Sequence, residues 1–131
     1  MKVLFVCTAN SCRSQMAEAW AHSLFPADWT AASAGLVTHR ITERTRWVME
    51  EVGLDMAGQE SKTFAAVALD AFDLVVTLSE EAGQFLPPLA DPGRLVKRPV
   101  DDPMSFRGEP EEVREAKARL ISILDWLMQQ M

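Results

Sequence analysis

Cysteine is scarce in this chain, and long hydrophobic runs and an excess of basic residues are missing altogether. The two cysteines, Cys7 and Cys12, stand too close in sequence to staple a fold as a disulfide framework does, so their chemistry has to be local. Thirteen Lys and Arg against nineteen Asp and Glu leave a net charge of −6, which gives no basis for a nucleic-acid or anionic-membrane partner. Any anion site must therefore be built from a few residues. No apolar run approaches the roughly 20 residues of a membrane helix, and no signal-peptide region stands between Met1 and Cys7, which points to a cytoplasmic protein. Repeats and low-complexity segments are absent too. What remains is a chain of 131 residues, 48% of them hydrophobic, enough for one domain over 1–131 with a real core.

Lys2-Val3-Leu4-Phe5-Val6 is a continuous β-rich run, the pattern of a central parallel strand covered on both faces. From Ser14 the pattern turns helical, with Met16, Ala17, Trp20, Ala21 and Leu24 on one apolar side before Pro26. Trp29 to Ala34 reads as a short second strand closed by Gly35. Thr42 is suited to cap a helix through Arg46, Trp47, Val48 and Met49 that stops near Gly53. FDLVVTL, from Phe72 to Leu78, is the second strong strand, and Ser79-Glu80-Glu81 opens a helix that Pro87-Pro88 stops. The proline-rich stretch over 87–110 predicts ordered loop, with one more short strand at Val96-Lys97-Arg98. The last segment, Glu111 to Met131, is an amphipathic helix with Val113, Leu120, Leu124, Leu127 and Met131 on its apolar side and Glu109, Glu111 and Glu112 at its positive end. Trp20, Trp126 and the methionines on these stripes read as core. Strands separated by helices imply an α/β fold, a doubly wound sandwich.

In an open parallel sheet, ligands bind beyond the carboxyl ends of the strands, and the first strand delivers Cys7 to that edge. The loop TANSC, then Arg13 and Ser14 opening a helix, gathers backbone N–H groups and a helix N-terminus around one point. This is an anion cradle made without the glycine-rich GKT sequence of nucleotide-binding loops. The five residues between Cys7 and Arg13 let the loop curl back, so that the guanidinium meets two oxygens of a tetrahedral oxyanion while the sulfur faces its centre. Arginine and a helix N-terminus both stabilise a thiolate, which makes Cys7 a candidate nucleophile. Asn10 is suited to a left-handed turn, and Ser14 can donate a hydroxyl hydrogen to the sulfur. An ester leaving group needs an acid to protonate it. Asp102, set before Pro103 and so held extended, is the first candidate for it, with Asp101 behind. His39 and Arg40 follow a strand at the same sheet edge and could flank the mouth. Trp47 could form a wall there, although helix packing is its plainer role. Cys12 is read first as loop packing, with a redox partnership to Cys7 as the alternative.

CTANSCRS at the chain start, SQMAEAW after it, SAG at Ser33 to Gly35, MEEVGLDMAGQ at Met49 to Gln59, DLVVTL at Asp73 to Leu78 and a late DDP together resemble the low-molecular-weight protein tyrosine phosphatase family. The likeness is greatest to its bacterial arsenate reductase branch. The resemblance implies a three-layer α/β sandwich with a central four-stranded parallel sheet and no cofactor or metal. It further implies Cys7 as nucleophile, Arg13 as oxyanion clamp and Asp102 as general acid. Thr8, Ala9, Asn10, Ser11, Cys12 and Ser14 would form and support the loop.

Two departures shape the functional reading. Thioredoxin-coupled reductases of this branch carry a resolving cysteine just after DLVVTL, where this chain has Ser79, and no cysteine follows through Met131. The tyrosine phosphatases carry aromatic residues just after the DP, where this chain has Met104, Ser105 and Phe106, leaving Phe106 as the candidate wall. The expected activity is hydrolysis of phosphomonoesters, on a small molecule or a phosphoprotein, through a phosphocysteine. The alternatives are arsenate reduction with an external thiol (glutathione, mycothiol or a redoxin) and a non-catalytic oxyanion-binding module.

Overall fold

The computed structural model describes residues 1–102 and 110–130. Its organisation follows from the first strand, β1 (Lys2–Cys7), in which every residue after Lys2 is buried. A strand apolar at each position has to be covered on both faces, because successive side chains point opposite ways. Val3, Phe5 and Cys7 accordingly enter one hydrophobic cluster, and Leu4 and Val6 enter another.

Around β1 the sheet is built from β2 (Thr30–Gly35), β3 (Leu74–Thr77) and β4 (Leu95–Lys97), in the order β2-β1-β3-β4. All neighbouring strands run parallel, so the sheet is the four-stranded parallel one that the resemblance implies. Helices α1 (Arg13–Leu24), α2 (Glu43–Glu50) and α4 (Pro110–Gln129) supply the larger cluster, with Met16, Met49, Leu120 and Leu124 fully buried. The short helix α3 (Glu80–Phe85) covers the other face through Ala82, beside Phe72, Val75 and Leu89.

Local chemistry sets the helix starts. Thr42 Oγ1 accepts the Thr45 amide at 3.2 Å, and Ser79 Oγ accepts the Ala82 amide at 3.1 Å, each satisfying an orphan donor of a first turn. Glu111 and Glu112 lie in the first turn of α4, while Glu109 and Met131 fall outside the described residues. Arg114 of α4 reaches both carboxylate oxygens of Glu51 at 3.0 and 2.8 Å and ties α4 to the end of α2.

Some expected core residues are placed otherwise. In α1, burial wraps the first two turns, taking in Arg13, Ser14, Gln15 and Glu18 as well as the apolar residues. Leu24, expected on the apolar side, is 38% exposed at the last residue of α1. Trp20 and Trp126 only border the larger cluster, and the Trp126 ring lies 4.1 Å from the Arg98 guanidinium. Among the described residues no helix is long and apolar enough to cross a membrane. The chain leaves β1 for β2 on one side and β3 on the other, so a crevice opens beyond the carboxyl end of β1, where Cys7 is the last residue.

Candidate active site

The loop between β1 and α1 turns at Asn10, whose φ is +51°. Asparagine tolerates this left-handed conformation better than most side chains because it bonds locally. Its own carboxamide is wholly buried: Nδ2 donates to Ser14 Oγ at 2.7 Å, and Oδ1 accepts the Lys62 amide at 2.9 Å. Ser14 Oγ lies 2.9 Å from Cys7 Sγ. That oxygen accepts a hydrogen from Asn10 and keeps a hydroxyl hydrogen of its own; either atom of the Ser14–Cys7 pair can donate, and against a Cys7 thiolate, which has no hydrogen to give, the donor is Ser14.

Gly35, in register with Cys7, supports the loop from below. A Cβ there would stand 2.6 Å from the Val37 carbonyl oxygen, 2.7 Å from the Asn10 nitrogen and 2.9 Å from the Ala9 carbonyl carbon. Only a bare backbone fits. The segment after β2 then laces itself to the loop: the amides of Leu36 and Val37 donate to the Thr8 carbonyl at 2.9 and 3.0 Å, and the His39 amide donates to the Ala9 carbonyl at 3.1 Å.

Above the loop is a cavity of about 250 Å³ lined by Cys7, Thr8, Ala9, Ser11, Cys12, Arg13, His39, Thr42 and Asp102. Arg13 is 7% exposed. One guanidinium nitrogen donates to the Val100 carbonyl at 2.9 Å, and the other lies 3.5 Å from Thr8 Oγ1 and 4.0 Å from Asp102 Oδ2. Thr8 Oγ1 also meets Ser79 Oγ at 3.0 Å and Glu81 at 3.3 Å, tying the loop to the start of α3. A second cavity of about 300 Å³ lies across Thr8, Arg13 and Asp102, walled by Glu80, Glu81, Pro99, Val100 and Asp101. Asp102 thus shares a cavity with Cys7, whereas Asp101 lines the second cavity and not the first. Cys12 is a different kind of thiol from a reactive one. Burial pushes it up to about 12, against the opposing effect of a hydrogen bond with Thr45, so it is protonated at neutral pH.

Of the residues singled out from sequence, Cys7, Thr8, Ala9, Ser11, Cys12, Arg13, His39 and Asp102 come together around one cavity, with Asn10 and Ser14 behind its floor. Trp47 does not join them. It is 49% exposed and faces the Arg114 guanidinium at 5.4 Å, because α2 turns that side toward α4. Arg40 lines a separate cavity with Arg46 and Ser61, which His39 also borders. Phe106 lies outside the described residues. Sequence reasoning missed Thr42 as a cavity residue, and Gln15, Gln59, Ser61 and Lys62 as supports of the loop. Gly35 was legible as a strand end but not as a seat for the loop.

A parallel α/β sandwich whose central strand ends in a buried thiol, backed by serine and flanked by arginine and aspartate, defines a fold of the cysteine-dependent phosphatase type. The model of the low molecular weight phosphotyrosine protein phosphatase family matches residues 2–130, and the chain belongs to that family. It is similar to an arsenate reductase of Halalkalibacterium halodurans, 37% identical over 110 residues that cover 84% of this chain and 79% of that one. Among solved structures, an arsenate reductase in the phosphate binding state superposes with a TM-score of 0.87 at 32% identity, over 98% of this chain and 97% of that one. A low molecular weight protein tyrosine phosphatase from T. tengcongensis superposes with a TM-score of 0.83 at 25% identity, over 100% and 99% of the two chains.

Proposed function

We propose that this chain is a phosphatase that hydrolyses phosphomonoesters, protein phosphotyrosine among them, through a phosphocysteine on Cys7. The observation that carries this reading is Cys7 Sγ, 2.9 Å from Ser14 Oγ, in the cavity that also holds Arg13 and Asp102. The thiolate attacks phosphorus, the S–P bond forms, and the P–O bond to the leaving group breaks as protonated Asp102 gives that oxygen its proton. Arg13 binds two oxygens of the transferring group, where its fork matches the developing charge. Water then attacks phosphorus, Asp102 takes its proton, and the sulfur departs as a thiolate held by the Ser14 hydroxyl.

A second reading has its own support, since the relatives named above include arsenate reductases. Here the Cys7 thiolate displaces water from arsenate, and an external thiol attacks the sulfur of the adduct. The electron pair of the S–As bond passes to arsenic, releasing arsenite and leaving a mixed disulfide on Cys7 that a second thiol reduces. The reductant must come from outside, as glutathione, mycothiol or a redoxin. Ser79 stands where a resolving cysteine would be and serves instead to cap α3, and Cys12 is protonated at neutral pH. Steady-state hydrolysis of p-nitrophenyl phosphate by the reduced protein, without added thiol and with Cys7→Ser as control, separates the two. Sustained turnover lost in the variant is the expected result. A single burst or none, together with thiol-dependent formation of arsenite, replaces the phosphatase reading with the reductase one.

A further inference from the structure

Gln15 is fully buried in the first turn of α1, although nothing in the proposed reaction touches it. A buried carboxamide is retained at a cost unless each of its polar atoms is used, and here all are. Gln15 Nε2 donates to Asn10 Oδ1 at 2.9 Å, to the Asn10 carbonyl at 3.1 Å and to the Glu60 carbonyl at 3.1 Å. Gln15 Oε1 accepts from Gln59 Nε2 at 2.8 Å, and that same nitrogen lies 3.0 Å from the Gln15 carbonyl.

These contacts run in one direction. Gln59 donates to Gln15, Gln15 donates to Asn10, Asn10 donates to Ser14, and Ser14 keeps one hydrogen, which a Cys7 thiolate 2.9 Å away can accept. The orientation of Asn10 is the decisive link. With its oxygen toward Gln15 and Lys62, its nitrogen faces Ser14 and makes that hydroxyl an acceptor. Turned over, Asn10 would present an oxygen to Ser14 and draw the hydroxyl hydrogen away from the sulfur.

We infer that Gln15, held by Gln59, is a positioning residue that fixes the Asn10 carboxamide so that the Ser14 hydroxyl donates to the Cys7 thiolate. The inference rests on the reading of Cys7 as the nucleophile, and it holds whether the adduct is then hydrolysed or reduced. Gln15→Met keeps length and volume and removes both the donor and the acceptor.

The test reads Cys7 without requiring turnover: the rate of iodoacetamide alkylation at about pH 6, followed by intact mass, where reaction reports thiolate. Inorganic phosphate affinity, measured by calorimetry, reports the integrity of the cradle. Gln15→Met should lower the alkylation rate about tenfold, the order of one hydrogen bond to a charged group, with phosphate affinity within about twofold. Gln59→Met should lower alkylation in the same direction and by less. In a Ser14→Ala background, Gln15→Met should add almost nothing, because its effect passes through the serine.

A folded Gln15→Met protein with wild-type alkylation overturns the inference. So does a loss of phosphate affinity parallel to the loss of alkylation, or full additivity with Ser14→Ala, either of which makes Gln15 a mere prop of the loop. If Gln15→Met does not fold, Gln59→Met is judged by the same criteria. A wild-type protein that alkylates fast and binds phosphate, yet turns over neither phosphomonoester nor arsenate, refutes the proposed function and leaves these outcomes readable.

Discussion

Cys12 lines the same cavity as Cys7, but its buried thiol, pushed up to about 12 from an ordinary 9.0, has a consequence for stability rather than for chemistry. Its folded-state value is raised, so the folded chain binds more protons than the unfolded one between those limits. The associated stability is full below pH 9.0 and is lost as pH rises toward about 12, at up to about 1.4 kcal/mol per pH unit. Cys12→Ala should flatten this alkaline decline in urea titrations, and an unchanged slope would remove Cys12 as its source. The sequence contains no tyrosine, so tyrosinate absorption does not obscure the thiolate band over that range. At Asp102 the prediction concerns chemistry. Asp102→Asn cannot protonate a leaving oxygen, so kcat should fall about 10²-fold or more on an alkyl phosphate. The loss should be smaller on p-nitrophenyl phosphate, whose leaving group needs less help. Equal losses on both substrates would argue against Asp102 as the acid.

At the scale of elements, the site is a meeting of four segments: the loop after β1, the stretch after β2, residues 59–62, and the stretch after β4 that brings Val100 and Asp102 to Arg13. Gly35 joins the first two. Gly35→Ala would push a methyl group against three backbone atoms, none more than 2.9 Å away, and backbone gives way less readily than a flexible side chain. The variant should lose about 1–3 kcal/mol of stability, as overpacking does, and lose phosphate affinity with it. Gly58→Ala is the control, since a Cβ there meets nothing within 4 Å and both properties should stay at wild-type values. Chemical denaturation and phosphate calorimetry read both variants, and a Gly35→Ala protein with normal affinity would show that the loop does not depend on this seat.

The same scale explains what the sequence revealed. The β1 run, the Thr42 and Ser79 caps and the Cys7-to-Arg13 spacing are local signals, and the helices and the cavity stand where those signals put them. Leu24 and Trp126 stand at the margin of the core rather than inside it, because periodicity identifies an apolar side without identifying what covers it. Trp47 meets Arg114 from a helix more than sixty residues away, and Trp126 meets Arg98 from the loop after β4. The wiring of Gln15 to Gln59 and of Asn10 to Lys62 spans 44 and 52 residues, a separation that no single-sequence pattern encodes.

For the molecule as a whole, the hydrophobic cluster that carries the fold also reaches the site, since Cys7 and Cys12 belong to it alongside Leu120 and Leu124. α4 nevertheless contributes no residue to the cavity around Cys7 among those described. Stability and chemistry should therefore separate. Leu120, fully buried on α4, becomes a cavity in Leu120→Ala, at a cost of about 2–5 kcal/mol. Phosphate bound only by the folded state should offset part of that loss, by about 2.7 kcal/mol at a hundredfold excess over its Kd. If the site is intact, phosphate stabilises wild type and Leu120→Ala by equal free energies, and kcat of the folded fraction is unchanged. Parallel urea titrations with and without phosphate measure both, and a smaller phosphate increment in Leu120→Ala would mean that the α4 core also holds the loop in shape.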